Sequence, residues 1–196
     1  FGCPGVEEFK DAIVSILKRH FADFKLYERS DLRGRRAEGL YSECGPLSGS
    51  SDEADTVASE NGLKLAVNVF TGDQSGLYLD RRAVRQRIAE LAPGQTVLDL
   101  CSYSAACGLR AAKAGAASVT AVDNSAQAMG LARKSLEFNN LSAFNCKLVK
   151  DDAARFLNQD ETRYDLIILD PPAGEEEDWV KLNSLALRHL KPGGRM

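Results

Sequence analysis

Residues 97–112 read VLDLCSYSAACGLRAA. An apolar run of strand type meets a short polar turn and then a small-residue stretch that favours helix. In that order the carboxyl end of a strand and the amino end of a helix face a ligand together. The turn carries Ala105 and Ala106 where such loops carry glycine, and only Gly108 is present. The GxGxxG spacing of a dinucleotide loop is therefore missing, as is the lysine of a phosphate-binding P-loop. The turn suits a nucleoside ligand without a phosphate chain.

Downstream, the periodicity predicts strand 96–101, helix 104–115, strand 118–122, helix 125–138, strand 146–149, helix 151–158, strand 164–169 and helix 178–190. Alternating strands and helices of these lengths predict an α/β fold with a parallel, Rossmann-like, doubly wound sheet. Upstream, residues 63–70 alternate as a strand, 72–76 form a turn, and LYLDRR (77–82) reads as a second strand running into a helix that ends before Pro93. Residues 47–62 are polar, acidic and serine-rich, which predicts a linker or hairpin tip. In residues 6–24, Phe9, Ile13, Ile16, Leu17, Phe21 and Phe24 fall at helical spacing, which predicts an amphipathic helix on a core, with His20 partly buried beside the stripe. Residues 25–40 read as a strand, a charged turn and an extended piece. The expected domains are a small N-terminal α+β element over 1–58 and the α/β domain over 59–196.

Ligands of doubly wound sheets sit at the carboxyl ends of the strands. Each strand end here carries an acid. Asp123, 24 residues past Asp99, is placed to accept both ribose hydroxyls of a nucleoside, with Asn124 beside it. Asp152, with Ala153, ends the third strand, where an adenine amino group would be held. Asp99 lies at the first turn, where a cationic amino group would pair with it. Adenosine at one end and a zwitterionic amino acid at the other describe S-adenosylmethionine. The simpler role of these acids is to cap the helices that follow them. LDPPAG (169–174) has no place in a dinucleotide fold. In a methyltransferase, Asp170 would face a substrate amino group, and Pro171-Pro172 would stiffen the loop around it.

The net charge of −3 gives no global attraction to nucleic acid, so contact with RNA would rest on local clusters: Arg29, Arg33, Arg35 and Arg36, and the arginines of 81–87. A solvated turn with internal ion pairs and a solvated helix face are the plainer readings of these two runs. The five cysteines form no CxxC pair, so reduced thiols and no metal site are expected. No apolar run is long enough to span a membrane and no basic-then-apolar leader is visible. The expected location is the cytoplasm, or an organelle if the source is eukaryotic.

At this point several segments carry a resemblance: YERSD and EGL within 27–40, ENGLK (60–64), GDQSGLYLDRR (72–82), VLDLCSYSAACG (97–108), AVDNSAQAM (121–129), DDAARFL (151–157) and LDPPA (169–173). In this order they resemble the bacterial 23S rRNA cytosine-5 methyltransferases built from a PUA domain, a middle domain and a class I methyltransferase domain. The resemblance implies S-adenosylmethionine as cofactor and large-subunit rRNA as partner, and leaves room for a homodimer. It implies that Tyr103, Ser104 and Ala105 line the methionine end of the cofactor, and that Gln74, Asp80 and Arg82 lie in a hairpin leading to it. It also implies that Asp123 holds the ribose, Asp152 the adenine end and Asp170 the target base. Three departures stand out. The family's Tyr-Thr/Val-Gly-Gly is Tyr103-Ser104-Ala105-Ala106 here, which costs about 1–2 kcal/mol at any position of positive φ. Its DPPKF is DPPAG. Its nucleophilic cysteine, which adds to carbon 6 of the base, follows a Pro-Gly-Gly-led strand and is expected beyond Met196. Cys101 and Cys146 lie in or beside core strands, and Cys107 falls in a first helical turn where a lowered pKa would be available. The resemblance thus predicts a fragment lacking the PUA domain and truncated after its fourth strand–helix unit. The alternatives are the same fold acting on guanine, and a non-catalytic RNA-binding or ribosome-assembly module.

Overall fold

The computed structural model describes every residue except 22, 31–33, 51–54, 73–75, 143–144, 173 and 175. The chain divides into two compact units, one formed by 1–56 with 67–77 and a larger one by 57–66 with 78–196. Residues 67–77, expected in the larger domain, pack with the smaller unit.

The larger unit is a five-stranded sheet of strand order β7-β6-β5-β8-β9, where β5 is Thr96–Leu100, β6 Ser118–Asp123, β7 Cys146–Lys150, β8 Tyr164–Leu169 and β9 Leu190–Arg195. All four pairings are parallel. Each crossover carries a helix: α5 (Ala106–Lys113), α6 (Ala126–Phe138), α7 (Ala153–Gln159) and α8 (Glu176–Arg188). Strand order reverses between β5 and β8, which makes their carboxyl ends the ligand crevice of such a sheet. Period-two alternation sorts the core. Leu98, Leu100, Val122 and Ile167 pack with Leu157 of α7 and Ala186 of α8 on one face. On the other face, Asp99, Val119 and Ala121 lie under α5, where Gly108 lets the helix come close: a Cβ there would sit 3.0 Å from Asp99 Oδ2 and 3.2 Å from Val119 Cγ1.

Ahead of the sheet, α4 (Arg82–Leu91) packs on α5. Strands β3 (Asp55–Glu60) and β4 (Leu63–Asn68) form a hairpin. Its two-residue turn, Asn61-Gly62, has φ of 49° and 77°, the left-handed values this tight turn requires. The backbone of β4 is satisfied from α6: Ser135 Oγ accepts from Ala66 N–H at 2.8 Å, and the Asn139 amide both accepts from and donates to Lys64.

Several expectations change here. Residues 55–60, assigned to a linker, are β3. LYLDRR is not a strand: Leu79–Arg81 is a turn of 3-10 helix entering α4. A fifth strand lies within the chain, because LKPGGR itself pairs with β8 as β9. The Pro-Gly-Gly is absorbed as an irregularity in the register, with Tyr164 opposite Leu190 and Leu166 opposite Arg195.

In the smaller unit, β1 (Tyr27–Ser30) and β2 (Glu43–Pro46) pair antiparallel. The expected long helix is two pieces, α1 (Pro4–Glu7) and α2 (Lys10–His20), and neither buries a residue. Its apolar stripe lies open, with Phe9, Ile16, Phe21 and Phe24 all exposed, and His20 is exposed too. One turn of helix, α3 (Gly34–Ala37), stands within the stretch expected to be a charged turn leading to an extended piece. Among the described residues no helix is long and apolar enough to cross a membrane.

Candidate functional site

The loop after β5 leaves the sheet through three left-handed residues that are not glycine: Cys101 at φ 53°, Tyr103 at 49° and Ala105 at 56°. Ala105 is the N-cap residue of α5, so the position where glycine was missed does require positive φ. Neighbouring strands pin the loop. Ser102 N–H donates to Val122 O at 3.0 Å, Tyr103 N–H to Asp123 Oδ2 at 2.8 Å, and Ala105 N–H to Ser102 O at 2.7 Å. Tyr103 is half-buried and its ring meets Tyr78 edge-on, 5.8 Å between centroids. Ser104 and Ala105, expected along the cofactor, are buried in the turn.

Asp99 changes role as well. It is 2% exposed and its carboxylate accepts from Gly108 N–H at 2.7 Å, anchoring the start of α5 from beneath. Its pKa is raised to about 7, chiefly by burial and in part by the charges of Asp123 and Asp170, against the lowering effect of the Gly108 N–H. The carboxyl expected to pair with a ligand's amino group thus lies under the start of α5.

Asp123 ends β6 half-buried, accepting from Tyr103 N–H and, through its other oxygen, from Ser125 N–H at 2.9 Å. A carboxylate offers about four lone-pair sites, and these two bonds take two of them. Asn124 beside it is exposed. Asp152 is exposed and caps α7, accepting from Arg155 N–H at 2.9 Å; Ala153, next in the chain, is half-buried in that first turn. The cap reading thus holds for Asp152, which still presents its side chain to solvent at the end of β7.

Asp170, just past β8, is held in a fork: Arg81 Nε donates to Oδ2 at 2.7 Å and Nη2 to Oδ1 at 2.9 Å. The sequence reading, which put Arg81 in a basic cluster, missed its pairing with Asp170, because the two lie 89 residues apart. Pro171 is half-buried and Pro172 exposed. The Pro172 carbonyl accepts from the indole N–H of Trp179 on α8 at 3.1 Å. Arg82 is not at the site but exposed, with its guanidinium 3.3 Å from Glu60. Arg85, read as a solvated face, is buried: Nε and Nη2 bond Glu60 at 2.8 and 2.7 Å, and Nη1 donates to Tyr78 O. This fork holds the Glu60 carboxyl below its ordinary range, against the opposing effect of burial. Arg87 is exposed and bonds Glu90 at 2.5 Å. Gln74, Arg33 and Ala173 lie outside the described residues.

The first basic cluster is largely internal. Arg29 donates to Val69 O and Gly72 O, while buried Arg35 bonds Tyr41 O and Glu7; only Arg36 of the described three is exposed. The carboxylates of Glu7, Glu28 and Glu43 come within 4.8 Å of one another. The Lys10 ammonium pairs with all three, which makes them an ion-pair cluster. The thiols near the sheet are held protonated by burial. Cys101 is pushed up to about 11 and Cys146 to about 12, and Cys107 rises too, although it stands in a first helical turn.

A parallel sheet of this order, with a strained turn after its central strand and acids at the ends of β6, β7 and β8, is the class I S-adenosylmethionine-dependent methyltransferase fold. Two solved structures share it. A Streptococcus mutans protein described as a SAM-dependent methyltransferase is 30% identical, with TM-score 0.80, covering 96% of this chain and 50% of its own. A methyltransferase described as complexed with SAH is 29% identical, with the same TM-score, over 96% and 51%. The chain belongs to the family described as Conserved hypothetical protein 95, whose model matches residues 81–195. Among curated proteins it is 37% identical over 202 residues to the ribosomal RNA large subunit methyltransferase I of Shewanella frigidimarina, covering 97% of this chain and 51% of that protein. It is 36% identical over 202 residues to the protein of the same description from Photobacterium profundum. The chain spans about half the length of the curated relatives it matches.

Proposed function

We propose that this chain carries the cofactor-binding and target-recognising part of an S-adenosylmethionine-dependent methyltransferase acting on large-subunit rRNA, at carbon 5 of a cytosine. The observation that carries the cofactor reading is the bond from Tyr103 N–H to Asp123, which ties the methionine-side turn to the ribose-side carboxylate. Asp123 has two acceptor sites left for vicinal ribose hydroxyls. Tyr103 is half-buried and Asp152, at the end of the neighbouring strand, is exposed. The residues present fit the cofactor, which when bound supplies an electrophilic methyl on a sulfonium.

The chain's own groups then do the following. The turn at 101–105 shapes the methionine end without a phosphate cradle. The Asp170 side chain accepts from the target base's amino group, and Pro171-Pro172 limit the movement of the loop that holds it. The base must leave its stack to reach that loop. Attack at carbon 5 of cytosine needs a cysteine thiolate adding to carbon 6. Cys101, Cys107 and Cys146 are protonated by burial and do not qualify. The resemblance places that cysteine beyond Met196.

The same observation favours the second reading, methyl transfer to a base such as guanine that needs no thiolate, or RNA binding without transfer. The deciding experiment uses the full-length protein with large-subunit RNA containing 5-fluorocytidine. A covalent adduct formed only with S-adenosylmethionine supports the cytosine reading. Methyl label recovered in guanosine, or no label with intact RNA binding, replaces it with the second.

A further inference from the structure

The Arg81–Asp170 fork is a contact that the proposed chemistry leaves unused. Its two residues are 89 apart in sequence, yet both carboxylate oxygens are engaged, and the third nitrogen, Nη1, reaches Asp80 at 3.0 Å. The two carboxylates around it hold the guanidinium more firmly charged than usual. Both partners stay open to water, with the side chain of Arg81 41% and that of Asp170 51% exposed. Because the pair is open to water, an entering phosphate can reach the guanidinium and compete for the fork. A guanidinium fork accepts phosphate with the same bidentate geometry as carboxylate.

We infer that Arg81 is a latch on the substrate side of the site, one that trades the Asp170 carboxylate for a phosphate when a nucleotide enters. The entering base's amino group takes Asp170, and Arg81, released, takes an RNA phosphate. The ligand class is a single-stranded ribonucleotide whose base carries an exocyclic amino group. One residue thereby couples phosphate binding to base choice: Asp170 is left unpaired unless the base donates to it, and a uracil carbonyl cannot. This inference rests on the reading of the unit as an RNA methyltransferase.

The test measures anisotropy of two labelled oligouridine strands, one with a central cytosine, on the full-length protein from 50 to 200 mM salt, with and without S-adenosylhomocysteine. Arg81→Gln is expected to reduce the slope of log affinity against log salt by about 0.7, one single-strand phosphate, so that about 2.6-fold less affinity is lost across that range. Arg81→Lys is expected to restore the slope, because a point charge suffices for it. Asp170→Asn is expected to abolish the preference for cytosine without lowering the slope. Lys181→Gln, an exposed lysine paired on its own helix, is expected to change neither. An unchanged slope in Arg81→Gln, or a wild type that binds neither strand, overturns the latch. Failure of the cofactor reading shows separately, as no calorimetric binding of S-adenosylhomocysteine, while the strand titrations still report on Arg81.

Discussion

Replacing Asp99 by Asn should stabilise the protein at alkaline pH and do far less in acid. The carboxyl is 2% exposed under α5, and its pKa rises from 3.8 to about 7, burial being the largest cause. A folded pKa above the unfolded one means that the folded state holds the proton more tightly. The group's stabilising contribution is then fully present below about pH 4 and is lost as pH rises through about 7. A gap of about three pK units is worth about 4 kcal/mol by pH 8, of which about 3 kcal/mol disappears between pH 4.5 and pH 8. Asparagine keeps an acceptor for Gly108 N–H and, like the protonated acid, carries no charge. Its own amide needs a second partner, but that cost is the same at both pH values and cancels in the difference. Glu28, Glu60 and Asp165 have lowered pKa values and give stability curves of opposite sign, which cancel in the same way. The assay is urea unfolding of wild type and Asp99→Asn at pH 4.5 and pH 8, followed by the fluorescence of Trp179, the chain's one tryptophan. The stability gap between the two proteins should widen by about 3 kcal/mol at the higher pH. A gap equal at both values would refute the placement of an ionisable, desolvated carboxyl under the cofactor turn.

Gly108→Ala should cost about 1–3 kcal/mol in the same unfolding assay, because the new methyl meets Asp99 Oδ2, Val119 and Ala121 on two rigid strands. Glu60→Ala should cost about 3–5 kcal/mol by leaving the Arg85 guanidinium buried and unpaired; an effect below about 1 kcal/mol would show that Arg85 reaches water. Asp123→Asn should weaken binding of S-adenosylhomocysteine about tenfold or more through lost charge-assisted bonds to ribose, and should lower the melting temperature as well, because the amide cannot accept from both Tyr103 N–H and Ser125 N–H. Unchanged calorimetric affinity would move the ribose elsewhere.

The β5–β8 half of the fold was legible because strands of a parallel sheet are buried on both faces and read as apolar runs. Strand 164–169 was read to the residue, and the helices between strands to within two or three. What the sequence hid was pairing across distance. RRAVRQR has the composition of a solvated face, yet Arg85 is buried because Glu60, 25 residues earlier, meets it with both oxygens. Tyr78-Leu79-Asp80 alternates like a strand, but the Tyr78 carbonyl accepts from Arg81 N–H and Arg85 Nη1, which turns the backbone into helix. In Lys191-Pro192-Gly193-Gly194 the local turn signal was outweighed by pairing with β8. Gly193 takes φ 79°, and Gly194 packs so closely on the Asp165 carbonyl that a side chain would sit 3.2 Å from it. At the site, acids at strand ends were visible as a pattern. Which of them face solvent is decided by strand parity and burial, and this separates Asp99 from Asp123 and Asp170.

The turn after β5 shows how much a motif can lose while its shape survives. Cys101, Tyr103 and Ala105 alternate in the left-handed region, at about 1–2 kcal/mol each for residues with a Cβ. Strain of that size persists only where the surroundings over-determine it. Here they do: Val122 O, Asp123 Oδ2 and Ser102 O each hold one N–H of the turn, and Leu109 N–H returns to Ala105 O to start the helix. Two of those three anchors belong to the last two residues of β6, the strand that ends in the proposed ribose ligand. The bonds that force an alanine to take a glycine's conformation therefore also fix the carboxylate, and loss of glycine from the turn does not by itself argue for loss of the cofactor.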